Sequence, residues 1–253
     1  MTILDQLASA THRTDQPSPA RWRTTREQAR RWQPLDLPTT IVVPHPDDEA
    51  LLFGGLIAWL TLRSIPIDVI AVTDGEAAYE HVDGRSLAVT RRREQRASLD
   101  VLGLDPARVR RLGLPDGHVD SHVDDLAGAI VACANPVIVA PWEHDHHCDH
   151  EACGRAARKA AAALGGQVLG GMFWAWHHTD PATLGGDELV ALDLDELGWR
   201  RRRRALGQHR SQLEHVDGPP VLTEHLLEPA QWRREYYVVD RSIHDAADLG
   251  PAT

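Results

Sequence analysis

A histidine and two adjacent aspartates follow a short apolar segment and carry the donor atoms that a divalent metal needs. Residues 39–43, TTIVV, predict a buried strand, and a helical pattern starts at Glu49. The turn between them holds His45, Asp47 and Asp48. Imidazole and carboxylate suit a divalent ion, and of two neighbouring aspartates one can bind it while the other faces the ion's ligand. The alternative is that one aspartate only caps the helix, but a cap needs a single such residue.

A second cluster of metal-binding side chains lies in the loop after another predicted strand, residues 136–140. His147 and His150 are three residues apart around a helix start, so they can lie on one face. Either of them, with His45 and Asp48, would give three protein ligands, which is the arrangement of catalytic zinc sites. The alternative is a polar surface loop with incidental metal affinity. Two such loops at the same predicted sheet edge favour the site.

These side chains together suit the hydrolysis of an amide or an ester. Zinc lowers the pKa of bound water toward about 7 and polarises a bound carbonyl. Asp47 could then take a proton from that water as general base. The histidine that does not bind the metal could, if protonated, stabilise an oxyanion or protonate the leaving group. Asp149 could hold that imidazole in its charged form.

Predicted strands and helices alternate along the chain with short connections. The predicted strands are 39–43, 67–73, 109–114, 136–140, 171–178 and 235–239, with the last one at an edge. The predicted helices are 49–63, 87–102, 120–134, 151–164 and 196–213, and 180–195 is predicted to be a loop. This order predicts an α/β fold in which a mostly parallel sheet has helices on both faces. Each polar cluster follows a strand, so we expect the clusters to meet at one sheet edge.

Composition limits the classes of protein to which the chain can belong. We expect an N-terminal arm, residues 1–38, and a single domain, residues 39–253. The formal net charge of -10 argues against a protein that grips nucleic acid through bulk charge. The odd number of cysteines, 3, favours a reducing compartment. With no apolar run of about 18 residues and no signal peptide, we expect a cytoplasmic protein without a membrane span. Because such an arm could pack on a second subunit, a homo-oligomer stays an open alternative.

Five motifs in order resemble one known family. They are His45-Pro46-Asp47-Asp48-Glu49, Thr73-Asp74-Gly75-Glu76, Arg91-Arg92-Arg93-Glu94, Asp116-Gly117 and His147-Cys148-Asp149-His150. Over about residues 39–215 this pattern resembles the LmbE-like (PIG-L) family of zinc-dependent N-acetylglucosamine deacetylases. The resemblance implies a Rossmann-like fold and a hydrolase that removes the acetyl group from an amino sugar glycoside.

The resemblance also implies roles for particular residues. The implied zinc ligands are His45, Asp48 and His150, although another divalent ion remains open. Asp47 is implied as the general base, and His147 as the acid or oxyanion stabiliser that Asp149 orients. Arg91 and Asp116 are implied to hold sugar hydroxyls or phosphate. His209, Ser211 and Gln212 match a C-terminal pattern to which we assign no role.

Two residues depart from the family pattern, and two other functions stay open. Pro44 precedes the first histidine where a small residue is common, and Cys148 replaces a common proline. The Cys148 thiol could bind a second metal or oxidise, but we favour a buried small residue.

The alternative functions are an amidase or deacylase for a sugar-linked thiol or acylated glycoside, and a sugar-binding module without turnover.

Overall fold

The strands form one eight-stranded sheet. The computed structural model describes residues 19–79, 82–214 and 220–239. The strands are β1 (Arg30–Arg31), β2 (Thr39–Val43), β3 (Ile67–Ala71), β4 (Val109–Arg111), β5 (Val137–Pro141), β6 (Gln167–Gly171), β7 (Glu188–Asp193) and β8 (Arg234–Val239). Their order across the sheet is β1-β7-β8-β6-β5-β2-β3-β4. Every neighbouring pair is parallel except the two that β8 makes with β6 and β7.

Strand β2 lies inside the sheet, and all five of its residues are buried. Ile41 is opposite Val69 of β3 on one side and Val139 of β5 on the other. A β-branched run of this kind is typical of a parallel strand that is covered on both faces. The carboxyl ends of β3, β2 and β5 therefore lie side by side, and the loops that follow them meet at one edge.

Helices cover both faces of the sheet, as predicted. They are α1 (Arg23–Gln28), α2 (Asp48–Leu51), α3 (Gly54–Leu62), α4 (Gly84–Leu102), α5 (Val123–Val131), α6 (Cys148–Leu164), α7 (Ala175–His178), α8 (Glu196–Leu206), α9 (Arg210–Leu213) and α10 (Glu228–Gln231). Short 3₁₀ turns occupy Pro19–Trp22, Pro106–Arg108, Val119–His122 and Pro181–Leu184. Ile41 packs in one core cluster with Leu56 and Leu102, whereas Val42 packs in the other with Leu126. In the described part of the chain, no helix is long and apolar enough to cross a membrane.

The described part of the predicted arm, residues 19–38, is joined to the sheet. Trp22 is fully buried, with its ring 5.1 Å from that of Trp176. Strand β1 pairs with β7, and the Trp32 ring lies 5.5 Å from that of Tyr237. Residues 1–18 of the predicted arm and 240–253 of the predicted domain lie outside the described residues.

Three predicted elements in the second half of the chain are wrong. The predicted strand 171–178 begins where β6 ends, and its last residues form α7. The Oδ1 atom of Asp145 accepts hydrogen bonds from the backbone N–H groups of Phe173 (2.8 Å) and Ala175 (3.0 Å), which fixes this turn. The predicted loop 180–195 contains β7, and β8 lies inside the sheet rather than at its edge.

The predicted helix 49–63 is two helices, α2 and α3, with a break that a buried ion pair stabilises. The Nε atom of Arg202 lies 3.2 Å from Oε1 of Glu235, and both side chains are buried. Glu235 accepts hydrogen bonds from the N–H groups of Gly55 and Leu56 at the start of α3, where helical donors have no partner within the helix. Arg202 donates to the carbonyl of Ala50 in α2 (3.2 Å).

We predict opposite effects of alanine at two helical glycines. A Cβ at Gly55 would overlap the Leu194 side chain and lie 2.9 Å from Cδ of Glu235, so Gly55→Ala should destabilise the protein by about 1–3 kcal/mol. A Cβ at Gly128 of α5 meets nothing within 4 Å, so Gly128→Ala should stabilise it by about 0.5–1 kcal/mol. Urea unfolding of both variants measures the two changes, and equal stability of Gly55→Ala and the parent would contradict the packing described.

Candidate metal and catalytic site

Three of the predicted site residues meet at the carboxyl end of β2. The Oδ2 atom of Asp48 lies 3.2 Å from Nδ1 of His45 and 3.2 Å from Nε2 of His150. It also accepts a hydrogen bond from the backbone N–H of His45 (3.0 Å). All three residues are buried. The loop after β2 and the first turn of α6 therefore bring two imidazoles to one carboxylate oxygen.

A second layer of carboxylates orients the two imidazoles through their other ring nitrogens. His45 Nε2 lies 3.1 Å from Oδ2 of Asp149 and 3.2 Å from Oδ1 of Asp116. His150 Nδ1 lies 2.7 Å from Oδ2 of Asp145. Carboxylates in these positions fix the tautomer and the ring orientation of metal-binding histidines. His45 can thus present Nδ1, and His150 can present Nε2, toward Asp48.

Two of the three donor spacings in the predicted ligand set suit a tetrahedral divalent metal. Zinc binds nitrogen and oxygen at about 2.0–2.2 Å, which places neighbouring donors about 3.3 Å apart. The two 3.2 Å distances from Asp48 Oδ2 match this spacing. Ring nitrogens of His45, His147 and His150 also lie within 4.8 Å of one another. Three protein donors would leave positions for water and substrate.

Without a metal, the carboxylates around His45 and His150 favour the protonated, positively charged form of both imidazoles. Burial opposes the charged form of His150, but the Asp48 charge and the hydrogen bond that His150 donates to Asp145 overcome this and raise the pKa of His150 to about 9. The pKa of His45 is likewise raised well above its usual value, against the effect of burial, by hydrogen bonds to carboxylates. Burial opposes ionisation of Asp48 too, yet the two histidines hold its pKa below its usual range. A divalent cation can replace these protons.

Asp47 has an unusual backbone and a single cationic partner. Its φ is 134°, a region that L side chains rarely adopt. Nη2 of Arg91 lies 3.1 Å from Oδ2 of Asp47. Burial raises the pKa of Asp47 to about 6, while the nearby guanidinium opposes the increase. A carboxyl group that titrates near neutrality suits a general base.

His147 is a neutral hydrogen-bond donor rather than a cation. It caps α6, and its Nδ1 accepts a hydrogen bond from the backbone N–H of Asp149 (3.2 Å). Because Nδ1 is the acceptor, the ring proton of the neutral form is on Nε2. Burial, and then the charges on His45 and His150, lower the pKa of His147 to about 3. In the described part of the chain, no residue bonds Nε2, whereas the ring stacks on Trp174 at 5.9 Å.

In the described part of the chain, the Asp149 carboxylate makes no hydrogen bond to His147, and its predicted role in orienting that ring stays a prediction. Besides His45, that carboxylate accepts hydrogen bonds from the N–H groups of Gly117 (2.7 Å) and Val119 (3.1 Å). A carboxylate oxygen of Asp149 still lies within 4.8 Å of a ring nitrogen of His147. Asp149 orients His45, and its backbone N–H holds His147.

The structure places Arg91 inside the protein, next to Asp47. The residue is only 3% exposed, and its guanidinium donates to the carbonyls of Gly75 (2.8 Å) and Pro46 (2.7 Å) as well as to Asp47. Gly75 has a φ of +65°, and a Cβ there would overlap the guanidinium. Arg91 therefore holds Asp47 in place, and its contact with sugar hydroxyls or phosphate stays a prediction.

Asp116, the other predicted substrate contact, lies beside His45. Its Oδ2 accepts a hydrogen bond from the N–H of Ala77 (2.8 Å), and its Oδ1 is near the His45 ring. Asp116 thus joins the loop after β3 to the centre of the site. Its contact with a sugar stays a prediction.

Cys148 is half-buried, and its thiol lies against the site. Sγ is 3.8 Å from Oδ1 of Asp149 and 3.9 Å from the carbonyl of Gly117. Burial raises the pKa of the Cys148 thiol, which favours the unreactive protonated form. The thiol also lies within 4.8 Å of donor atoms of His147 and Asp149, so its role as a buried small residue stays a prediction.

Sequence reasoning missed three residues that support the site. Asp145 holds His150, and its only sequence signal was a position in the same polar loop. Glu49 and His209 form a buried pair beneath Asp47, with Nε2 and Oε1 2.6 Å apart. Both belonged to quoted motifs, but nothing in the sequence indicated that they touch.

Comparisons with known proteins support the resemblance. The family model described as PIG-L, GlcNAc-PI de-N-acetylase, matches residues 40–161. The resemblance to this family is therefore confirmed over these residues. A Bacillus cereus protein named "Probable N-acetyl-alpha-D-glucosaminyl L-malate deacetylase 2" is 28% identical over 185 residues, which cover 69% of this chain and 83% of the relative.

Solved structures confirm the fold class. The deacetylase of the A40926 pseudoaglycone superposes with a TM-score of 0.62 and 21% identity, covering 81% of this chain and 96% of that one. The 4-carboxy-2-hydroxymuconate hydratase of Pseudomonas putida KT2440 superposes with a TM-score of 0.56 and 16% identity, covering 76% and 82%. At these identities the structures show the fold alone, and a hydratase among them shows that this fold serves more than one reaction.

We predict that metal binding releases protons. At pH 7 the metal-free protein carries protons on His45 and on His150, whose pKa is about 9, and both must lose one to bind an ion. Titration calorimetry of Zn²⁺ at pH 7, in buffers of different ionisation enthalpy, should give about two protons per ion. Affinity should fall as the pH is lowered.

A matched pair of variants checks the assignment of that release. His150→Ala should lose most of the zinc affinity, whereas His122→Ala, in the Val119–His122 turn, should bind like the parent. Zinc binding without proton release, or with full affinity in His150→Ala, would contradict the three-residue site.

Proposed function

We propose that this protein is a zinc-dependent hydrolase that removes the acetyl group from an N-acetylglucosamine-type amino sugar glycoside. The observation that carries the proposal is the shared Asp48 oxygen, 3.2 Å from each of two histidines, with Asp47 and His147 beside it. The family match and the names of the relatives, which are deacetylases of N-acetylglucosaminyl compounds, support this substrate class. The free cysteines Cys133, Cys148 and Cys153 suit a cytoplasmic location.

The metal site proposed consists of His45, Asp48 and His150. When bound, a divalent ion would lower the pKa of a water molecule and polarise the acetyl carbonyl. The protein's contribution is to fix the three donors. Asp149 and Asp116 orient His45, and the other ligands are held by Asp145 and by the first turn of α2.

Asp47 handles the proton in the proposed reaction. Its carboxylate takes a proton from the attacking water, and the remaining hydroxide oxygen forms the new bond to the acetyl carbon. When the C–N bond breaks, Asp47 returns the proton to the amine nitrogen, so that acetate and a free amine leave. Arg91 keeps the carboxylate charged and aimed during this cycle.

His147 stabilises the carbonyl oxygen in the proposed reaction. A neutral imidazole with its proton on Nε2 can donate a hydrogen bond to the negative charge that develops on that oxygen. Of the two predicted roles, acid or oxyanion stabiliser, the low pKa of His147, about 3, supports the second. The bond from Asp149 N–H to Nδ1 keeps the required tautomer.

We predict that Asp47→Asn removes activity and leaves the metal in place. Zinc-loaded parent protein, given N-acetylglucosamine glycosides, should release acetate and primary amine in equal amounts. Asp47→Asn should be slower by about 10²–10⁴-fold because the proton acceptor is lost, with unchanged zinc content. The exposed Asp125 provides the control, since Asp125→Asn should keep the parental rate.

The products separate this function from its alternatives. An amidase or deacylase would release another acid instead of acetate. A sugar-binding module would bind the glycoside without product. Full activity of Asp47→Asn would contradict the assigned mechanism.

We predict that Arg91 sets the acidic limit of the reaction. Asp47 acts when deprotonated, so the rate falls as the pH drops through its pKa. The Arg91 charge lowers that pKa, so Arg91→Met should raise it and move the acidic limb of kcat/KM to higher pH. Arg92 is paired with Asp74, and Arg92→Met is the matched control that should not move the limb. An unmoved limb in Arg91→Met would show that Asp47 does not govern it.

A further inference from the structure

We propose that His209 is a positioning residue for Asp47 and acts on it through Glu49. This inference rests on the proposed function, in which Asp47 is the general base. It assigns a role to a residue that, in the described part of the chain, makes no hydrogen bond to the proposed metal ligands.

Glu49 and His209 form one buried ion pair. Nε2 of His209 and Oε1 of Glu49 are 2.6 Å apart, and both residues are fully buried. A carboxylate in this environment needs a charged or hydrogen-bonding partner, because an unpaired buried charge is costly. Nδ1 of His209 is buried without a hydrogen-bond partner in the described part of the chain, so the ring's described hydrogen bond is the one to Glu49.

The second oxygen of Glu49 holds the backbone of the base. Oε2 accepts a hydrogen bond from the N–H of Asp47 (3.1 Å) and one from Nε2 of Gln95 (3.3 Å). A carboxylate with one oxygen on His209 and the other on the Asp47 peptide cannot rotate without losing one of these bonds. His209 therefore fixes the direction from which Glu49 approaches Asp47.

Asp47 depends on such support because its backbone conformation is unfavourable. A residue with φ of 134° keeps that value only where its surroundings hold it. Glu49 holds the Asp47 peptide nitrogen, while Arg91 holds the Asp47 carboxylate and the carbonyl of Pro46. Loss of the His209 contact would leave Oε1 of Glu49 without this partner, so that the carboxylate could rotate and the Asp47 peptide could relax.

The segment that carries His209 is itself anchored to the rest of the site. His209 lies between α8 and α9, and Glu94 of α4 accepts hydrogen bonds from Ser211 N (2.8 Å) and Ser211 Oγ (2.6 Å). The hydroxyl of Tyr79 donates to the carbonyl of Ser211 (2.8 Å). These hydrogen bonds hold the segment around His209 and Ser211, and they place the His209 imidazole next to the loop that follows β2.

Kinetics of His209 variants test this inference. His209→Ala should lower kcat by about 10–100-fold, the effect of a base misplaced by about 1 Å, while KM and zinc content stay within about twofold. His209→Gln retains a donor for Glu49 and should lie between the parent and His209→Ala. Arg210 is exposed and paired with Glu214, so Arg210→Ala is the neighbouring control that should keep the parental kcat.

A double-mutant cycle separates positioning from general damage. If His209 acts only through Asp47, adding His209→Ala to Asp47→Asn should change the residual rate by less than about twofold. An equal loss in both backgrounds, or parental kcat in His209→Ala, would overturn the inference. If His209→Ala does not fold, His209→Gln takes its place in the cycle.

A crystal structure of His209→Ala tests the link between His209 and Asp47 without a measurement of activity. The φ of Asp47 should leave its value of 134° in His209→Ala, or in His209→Gln if only that variant folds. An unchanged φ would overturn the inference. If the parent protein released no amine, the proposed function would fail, and this structural comparison would still test the link between His209 and Asp47.

Discussion

Buried carboxylates at the carboxyl ends of parallel strands dominate this structure, and each needs a partner. Charge is costly in a site from which water is largely excluded, so every ionised group must be paired or neutralised. Asp48 is shared by two histidines, and Asp47 is paired with Arg91. The carboxylates outnumber the fixed cations, and in the metal-free protein protons on the histidines make up part of the difference. A divalent ion supplies the same positive charge without those protons.

The same constraint explains why residues far from the chemistry matter to it. Arg202 and Glu235 are buried together and set the break between α2 and α3, which fixes the helix that follows the first site loop. Glu49 and His209 form a second buried pair directly beneath Asp47. Each pair comes from segments that are distant in sequence, so the site depends on the complete fold. The unusual backbone of Asp47 is the point where this support is most needed.

Local pattern predicted much of the fold and the site. The β-branched run of β2 has the predicted boundaries because its period and flanking proline are local signals. The proposed metal-binding residues were recognisable because they lie in two short motifs. The predictions that failed depended on contacts between residues that are distant in sequence. Residues 171–178 are apolar and aromatic, which suits a strand, but Asp145, far away in sequence, turns the chain there through two backbone hydrogen bonds. The role of Arg91 was missed because its partners are backbone carbonyls that no motif reveals.

The position of the bound ion tests the central claim most directly. Diffraction data collected at the zinc absorption edge from crystals of zinc-loaded protein would locate it without reference to activity. The account predicts one principal anomalous peak about 2.0–2.2 Å from His45 Nδ1, Asp48 Oδ2 and His150 Nε2, with Asp47 outside bonding distance. A principal peak bound by Asp47, or the absence of a peak at these three atoms in zinc-loaded crystals, would contradict it.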